Sequence, residues 1–121
     1  MALRCLIVDD SARFLRAAAG LLERQGISVV GLAHTGTEAI ARVAELRPDV
    51  VLVDIDLGEQ SGFEVARQLR QQGDGSTPRI IMISSHAEQD FEDLVAASPV
   101  AGFVAKSALS AAAIQSLLTS P

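Results

Sequence analysis

The feature of this sequence that most constrains its fold is a fivefold alternation between short apolar runs and segments of helical periodicity. The apolar runs are residues 3–8, 28–33, 50–53, 79–83 and 102–105. Strands that alternate with helices along a chain are typical of repeated βα units and of a parallel sheet. The alternation therefore predicts an α/β fold built on one parallel sheet.

Two helical segments show clear ends. The first is expected to end at Gly26, because glycine readily adopts the backbone conformation of a helix C-cap. The second carries an apolar stripe of Ile40, Val43 and Leu46 and is stopped by Pro48. The stripe of the first helix consists of Phe14, Leu15, Ala18, Leu21 and Leu22.

Three predicted helix starts carry a capping box, in which a hydroxyl residue and a glutamate three positions later satisfy free amides reciprocally. The polar cluster QQGDGSTP, residues 71–78, predicts a turn within the domain. The three capping pairs are Thr35 with Glu38, Ser61 with Glu64, and Ser85 with Glu88.

The last helical segment, residues 107–121, contains no charged residue. The outer side of such a helix either contacts a partner or belongs to a small alanine-rich helix that tolerates neutrality. Both interpretations stay open at this point.

Length and composition restrict the class of protein. A chain of 121 residues fits one domain, so residues 1–121 are interpreted as a single unit. The formal net charge of -5 argues against a nucleic-acid-binding surface, which needs basic patches.

The single cysteine, Cys5, cannot form an internal disulfide and is expected to be a buried, inert thiol in the cytoplasm. Neither a signal peptide nor a membrane-spanning run is predicted.

Charged side chains stand where predicted strands end. Asp9 and Asp10 follow the first strand, Asp54 follows the third, and Lys106 follows the fifth. In an open parallel sheet, groups at the carboxyl ends of the strands converge on one crevice. Three carboxylates brought together repel one another unless a cation neutralises them, and Mg²⁺ prefers oxygen ligands. The aspartates are therefore expected to bind Mg²⁺.

Two further residues fit an anion at the same crevice. Lys106 is the only lysine of the chain, which indicates that a compact point charge is needed there. Ser84 ends the fourth strand, and its hydroxyl is not needed for the capping box that Ser85 begins. Taken singly, each position has a simpler interpretation, because aspartates cap helices and turn residues can be solvated.

The motifs at the strand ends resemble those of the receiver domain of bacterial two-component response regulators. They are LIVDDS at the first strand, VVLVDIDLGEQSG at the third, IIMISSHA at the fourth and GFVAKS at the fifth. The resemblance covers essentially the whole chain. It implies a flavodoxin-like (βα)5 doubly wound fold with strand order 2-1-3-4-5.

The resemblance implies a role for each site residue. Asp54 would be the phosphoacceptor, taking a phosphoryl group from a sensor histidine kinase or a small donor. Asp10 would bind Mg²⁺ directly, Asp9 mostly through a water, and the backbone carbonyl of Asp56 would complete the protein ligands. Mg²⁺ and Lys106 would neutralise the charge of the transferring group.

The resemblance also implies a switch. The Ser84 hydroxyl would bond to the new phosphoryl group, and Phe103 would turn inward behind it, reshaping the face formed by α4, β5 and α5. Asp56 and His86 flank the phosphoryl group in similar proteins, and we hypothesise that they tune its lifetime. Gly62 matches a family glycine after the acceptor.

One departure from the common pattern points to a subfamily. Lys106 is followed by Ser107 rather than by proline, as in NarL-type receivers, which usually carry a DNA-binding output domain. The expected function is therefore a signalling switch linked to transcription, rather than an enzyme. Homodimer formation on phosphorylation is left open, as are the kinase, the signal and any output domain beyond Pro121.

Three alternative functions fit the sequence less well. The segment VVLVDIDLG also resembles the Asp-x-Asp motif of haloacid-dehalogenase phosphatases, but that family places its motif near the N-terminus and needs further acids. A flavodoxin-like cofactor binder lacks support, because no glycine-rich loop follows the first strand. A receiver-like module that is never phosphorylated is disfavoured, because Asp9, Asp10, Asp54, Ser84 and Lys106 are all present.

Overall fold

The computed structural model describes residues 2–71, 78–86 and 91–119. Its main sheet is parallel, with the order β2-β1-β3-β4-β5 across five strands of the described residues. The strands are β1 (Arg4–Val8), β2 (Ser28–Ala33), β3 (Val50–Asp54), β4 (Arg79–Ser84) and β5 (Gly102–Ala105). The predicted fold class and strand order are confirmed.

Two strands extend one residue further than the apolar runs predict. Asp54 pairs with Ile83 in the register of β3 and β4, and Ser84 pairs with Ala105 in that of β4 and β5. Both polar residues are therefore held by the sheet.

Helices cover both faces of the sheet. They are α1 (Ala12–Arg24), α2 (Gly36–Leu46), α3 (Gly62–Gln71), α4 (Glu92–Ala97) and α5 (Ala111–Thr119), and a 3₁₀ turn spans Lys106–Ala108. Alternate strand residues point to opposite faces, which separates the core into two clusters. One cluster includes residues of α2 and α3, with α4 packed against it, and the other includes residues of α1 and α5. The continuous apolar runs are explained by this two-sided burial.

Helix ends follow the sequence expectations at α1 and α2. Gly26 has φ +93° and comes directly after the C-cap of α1, as expected. The end of α2 depends also on a distant residue, because the Arg4 guanidinium donates to the carbonyls of Leu46 (2.7 Å) and Arg47 (2.8 Å). Arg47 itself takes the left-handed conformation with φ 47° before Pro48. A side chain of β1 thus caps α2.

The predicted capping boxes at Thr35 and Ser61 form only in part. Thr35 Oγ1 accepts a hydrogen bond from the Glu38 amide, but the Glu38 carboxylate contacts His34 Nδ1 at 3.5 Å. Ser61 caps α3 as predicted, but its Oγ accepts from the amide of Phe63, the second residue of the helix, and not from that of Glu64, so the box itself does not form. Ser61 also belongs to a two-residue antiparallel ladder, in which Asp56–Leu57 pairs with Gln60–Ser61.

The capping box of Ser85 falls partly outside the described residues, because Glu88 is not among them, and so do residues 72–77 of the predicted turn at 71–78. The prediction for Cys5 is supported, since the side chain is fully buried and burial raises the pKa of its thiol to about 12. None of the helices among the described residues is long and apolar enough to cross a membrane.

Candidate functional site

The sheet brings three carboxylates together at its carboxyl edge. Asp9 and Asp10 follow β1 directly, and Asp54 is the last residue of the neighbouring strand β3. One carboxylate oxygen from each residue lies within 4.8 Å of those of the other two. The predicted acidic cluster is therefore assembled by the fold.

Lys106 lies opposite these acids, immediately after β5. Its Nζ atom is 2.6 Å from Asp9 Oδ2 and 3.3 Å from Asp54 Oδ2. The Lys106 side chain is only 19% exposed, so this ammonium is largely shielded from water. The single lysine of the chain thus neutralises part of the acidic cluster.

The donor set fits a hard divalent cation. Asp9 is fully buried, and its Oδ1 accepts a hydrogen bond of 2.8 Å from the amide of Ser11. Within the described residues, Asp9 Oδ2 accepts no well-aligned hydrogen bond, and the Lys106 ammonium is its ion-pair partner. Asp10 is exposed and open to solvent. Buried and exposed carboxylate oxygens at this spacing suit Mg²⁺, which combines a few carboxylates with several waters.

The cluster shifts the protonation of its members. Burial raises the pKa of Asp54 to about 6, and the negative charge of Asp9 acts in the same direction. The Asp56 amide, which donates to Asp54 Oδ1 at 3.2 Å, and Lys106 both oppose this rise. Burial alone would lower the pKa of Lys106, but Asp9 and Asp54 outweigh burial and raise it. The ammonium is therefore fully protonated at neutral pH.

The loop after β3 runs beside Asp10. Asp56 is exposed, and its Oδ1 accepts from the amide of Gly58 at 3.3 Å. Gly58 has φ +76°, and a Cβ atom placed on it would lie 3.9 Å from Asp10 Oδ2. The backbone of Asp56, the predicted metal ligand, therefore belongs to a tight turn next to the acids.

Gly62 closes this loop onto the site. Its amide donates to the carbonyl of Ile55 at 2.7 Å. A Cβ atom on Gly62 would overlap the backbone carbonyl of Asp54 and come within 2.8 Å of its carbon. Only glycine allows α3 to begin so close to the acceptor strand.

The predicted switch hydroxyl is buried and already engaged. Ser84 is 2% exposed, and its Oγ accepts a 3.0 Å hydrogen bond from the amide of His86. The His86 ring, on an exposed residue, has Nδ1 3.5 Å from the same oxygen. A hydroxyl that accepts a hydrogen bond keeps its own proton, so the Ser84 hydroxyl can still donate to an anion, as the sequence suggests.

An aromatic series connects this turn with β5. The rings of His86 and Phe91 meet edge to face with centroids 6.1 Å apart, and Phe91 lies 6.4 Å from Phe103. Phe103 is 7% exposed and belongs to the core cluster on the side of α2 and α3. The side chains of Ser84 and Phe103, named from the sequence as a pair, are thus linked through His86 and Phe91.

One site residue was missed from the sequence. The Lys106 ammonium lies 4.3 Å from the centroid of the Phe14 ring. The sequence assigned Phe14 only to the apolar stripe of α1, because the contact joins two segments far apart in the chain. The one signal in the sequence that Phe14 could reach the site is its place in the first turn of α1, a helix that begins beside Asp9 and Asp10.

The doubly wound fold and its acidic edge have counterparts among known proteins. The sequence profile of the response regulator receiver domain matches residues 5–118. The chain therefore belongs to the response regulator receiver domain family, the receiver module of two-component systems. This membership favours the receiver interpretation over a haloacid-dehalogenase-like phosphatase.

Curated relatives extend well beyond this chain. A protein-glutamate methylesterase/protein-glutamine glutaminase of Symbiobacterium thermophilum is 36% identical over 107 residues, which are 86% of this chain and 29% of the relative. The second such enzyme of Koribacter versatilis is 32% identical over 102 residues, covering 84% of this chain and 27% of the relative. The chain thus spans less than a third of these relatives.

Solved structures give the same fold. A two-component response regulator of the LuxR family from Aurantimonas sp. SI85-9A1 has a TM-score of 0.84 and 30% identity, covering 98% of this chain and 84% of that one. The chemotaxis response regulator CheY4 of Vibrio cholerae has a TM-score of 0.81 and 23% identity, covering 97% and 99% of the two chains. The latter likeness concerns the fold alone.

Proposed function

We propose that residues 1–121 form one receiver domain that accepts a phosphoryl group on Asp54 from a sensor histidine kinase. The observation that carries this proposal is that Asp54 has both negative and positive neighbours. One of its carboxylate oxygens lies within 4.8 Å of an oxygen of Asp9 and of Asp10, and its Oδ2 is 3.3 Å from the Lys106 ammonium. The domain acts as a signalling switch, and its Asp54 is consumed and regenerated in each cycle.

The transfer needs only a nucleophile and compensation of charge. A carboxylate oxygen of Asp54 attacks phosphorus, the P–N bond of the phosphohistidine breaks, and the nitrogen keeps the electron pair. Lys106 turns its ammonium from the carboxylates to an oxygen of the arriving group, which stabilises the charge of the transition state. The Asp56 amide holds Asp54 Oδ1 at 3.2 Å and so fixes the orientation of the carboxylate.

The acids beside Asp54 are the proposed holders of Mg²⁺. Asp10 would bind the ion directly, Asp9 mostly through water, and Asp54 and the backbone carbonyl of Asp56 would contribute the remaining protein oxygens. When bound, Mg²⁺ neutralises negative charge on the phosphoryl oxygens. Without it, the approach of an anionic donor to three carboxylates is opposed by repulsion.

The phosphorylated state is proposed to differ at Ser84 and Phe103. The Ser84 hydroxyl moves to donate its proton to a phosphoryl oxygen, and Phe103 moves with it. The amide of His86 donates to Ser84 Oγ at 3.0 Å, and a hydroxyl that accepts one hydrogen bond can still donate another. A hydrogen bond to the phosphoryl anion is charge-assisted and therefore stronger than one between neutral groups. The consequence is a change on the face formed by α4, β5 and α5, as in phosphorylation switches generally.

That face has the character of a surface for a partner. An open groove beside β5 is lined mainly by apolar side chains, and Leu94 of α4 is 53% exposed. Both features support regulation of an output domain or formation of a homodimer by this face. The groove is lined by Phe103, Val104, Ala105, Ala108, Ala113, Ser116 and Leu117.

The output is proposed to act on transcription, in keeping with a NarL-type assignment. The dipeptide Lys106–Ser107 and the 30% identity to a LuxR-family response regulator support this proposal. The methylesterase relatives support a second candidate, in which the receiver controls a catalytic domain. Translation of the reading frame beyond Pro121 distinguishes a DNA-binding domain from a methylesterase domain.

Direct labelling tests the proposed acceptor. The purified chain is incubated with acetyl phosphate, with and without Mg²⁺, and the modified residue is located by mass spectrometry after borohydride reduction. Modification of Asp54 that requires Mg²⁺ is expected, and Asp54→Asn should remain unlabelled. A wild-type chain left unmodified by acetyl phosphate, beryllium fluoride and a set of phosphorylated histidine kinases would refute the proposal.

A further inference from the structure

Three side chains of the described residues contact the Lys106 ammonium, and one of them is not charged. The carboxylates of Asp9 and Asp54 lie 2.6 and 3.3 Å from Nζ, and the centroid of the Phe14 ring lies 4.3 Å away. An ammonium has three N–H donors, and an aromatic face attracts a cation electrostatically at this distance. The ring also covers a side of Lys106 that would otherwise be open to water.

The ring is held in place by the site itself. The amide of Ser11 donates to Asp9 Oδ1 at 2.8 Å, and the Ser11 hydroxyl accepts from the amide of Phe14 at 3.2 Å. The contacts therefore run in a closed circuit from Asp9 through Ser11 and Phe14 to Lys106 and back to Asp9. Phe14 also packs against the apolar cluster on the side of α1 and α5, which restricts the ring from behind.

Carboxylates alone are poor anchors for Lys106 during the proposed reaction. Asp9 and Asp54 are the residues that a metal ion and a phosphoryl group would engage, and each new partner weakens their hold on the ammonium. The long lysine side chain is flexible and would then gain freedom. The ring face takes no metal ion and no proton, so its attraction for the ammonium persists in every state of the site.

We propose that Phe14 is a positioning residue, whose ring face keeps the Lys106 ammonium at the acidic crevice when Asp9 and Asp54 are otherwise engaged. The effect of Phe14 on the rate of phosphorylation rests on the proposed function, because it requires that Asp54 accept a phosphoryl group. The effect of Phe14 on the position of Lys106 does not depend on that function.

The first experiment observes Lys106 directly. Because the chain has one lysine, isotopically labelled lysine yields one set of side-chain NMR signals. The Cε protons of the wild type should be shifted upfield by the ring current of Phe14, both without and with Mg²⁺. The shift should vanish in Phe14→Leu and persist in Phe14→Tyr. Wild-type signals that coincide with those of Phe14→Leu, or a shift lost when Mg²⁺ is added, would overturn the proposal.

The second experiment measures phosphorylation of Asp54 by acetyl phosphate with Mg²⁺. A cation–π contact of ordinary strength corresponds to a loss of roughly 2- to 30-fold in rate for Phe14→Leu, whereas Phe14→Tyr should stay close to wild type. A ring-fluorinated phenylalanine at position 14 keeps the shape but withdraws electron density from the face, and it should slow the reaction as well. Equal rates for the fluorinated and natural rings would mean that Phe14 acts by packing, against the proposal.

The two experiments separate the proposal from the function on which it partly rests. If the wild type accepts no phosphoryl group, the proposed function fails, and the NMR measurement still decides whether Phe14 positions Lys106. If Phe14→Leu is less stable than the wild type, the phosphorylation rate of the wild type is compared with that of the fluorinated variant instead, because the shape of its ring is nearly unchanged.

Discussion

The Lys106 ammonium lies 2.6 Å from Oδ2 of Asp9, a carboxylate that is fully buried. The two residues are far apart in sequence and meet because β1 and β5 both end at the same edge of the sheet. Lys106 therefore has a structural task in addition to its proposed role toward the phosphoryl group.

Replacing Lys106 by methionine should destabilise the metal-free protein. Methionine keeps most of the apolar stem but leaves Asp9 as an uncompensated buried charge, at an expected cost of about 2 kcal/mol. Urea denaturation at pH 7.5 with EDTA measures this free energy. Lys106→Arg is the matched control, because it keeps a cation, and its loss should be smaller. Equal stability of wild type and Lys106→Met would contradict the importance of this ion pair.

Replacing Asp54 by asparagine should stabilise the metal-free protein at pH 7.5. Burial raises the pKa of Asp54 from 3.8 to about 6, so the folded state binds this proton more tightly than the unfolded state. The associated stability is present below pH 3.8 and is lost as pH rises through 6. Above pH 6 the ionised carboxylate therefore opposes folding, and its removal should gain about 1 to 2 kcal/mol.

The pH dependence supplies the check on that prediction. The gain from Asp54→Asn should be much smaller at pH 4 than at pH 7.5, because near pH 4 the carboxyl is protonated in the folded state and partly protonated in the unfolded state as well, so folding takes up much less than one proton. Urea denaturation in EDTA at both pH values gives the comparison. A gain that is independent of pH would show that Asp54 charge is not the cause.

Mg²⁺ should stabilise the protein through Asp10. A ligand that binds only the folded state at ten times its dissociation constant adds about 1.4 kcal/mol to the free energy of unfolding. Asp10→Asn should weaken this stabilisation, because it removes one charge of the three-carboxylate cluster. Asp56→Asn should retain it, because the proposed ligand there is the backbone carbonyl. Calorimetry with ionic strength held constant separates binding from general screening.

Replacing Gly62 by alanine should destabilise the fold near the acceptor strand. The new Cβ would overlap the Asp54 carbonyl, and forcing α3 away should cost about 2 kcal/mol. Gly20→Ala is the control, because Gly20 lies inside α1, where alanine is favoured by roughly 0.5 to 1 kcal/mol. Its Cβ would meet only the flexible end of Arg24 at 3.3 Å. Equal effects of the two changes in urea denaturation would refute the close approach.

Asp56 and His86 are predicted to shorten the life of the phosphorylated state. Both are exposed, and each offers an acceptor that can take a proton from an attacking water. Asp56→Ala and His86→Ala should each lengthen the half-life of the aspartyl phosphate by about fivefold, as expected for an interaction near 1 kcal/mol. Glu59→Ala, in the same loop as Asp56 and also exposed, should leave it unchanged. Unchanged half-lives for both test variants would reject the hypothesis.

The sequence by itself determined the sheet and the chemical character of its edge. Runs such as CLIV and VVLV are short, apolar and followed by aspartate, so both the strand and the polar residue at its end are encoded locally. The convergence of Asp9, Asp10, Asp54 and Lys106 follows from parallel topology alone, because every strand of such a sheet ends at the same edge.

Only the tertiary structure decided contacts that join distant segments. Ser61 pairs in a short ladder and bonds to Phe63, although its sequence context predicts a capping box. The ring of Phe14 reaches Lys106, which no local pattern encodes. Local propensity concerns a few neighbouring residues, whereas these contacts depend on how α1, the β3 loop and β5 pack together, and that geometry is set by the whole core.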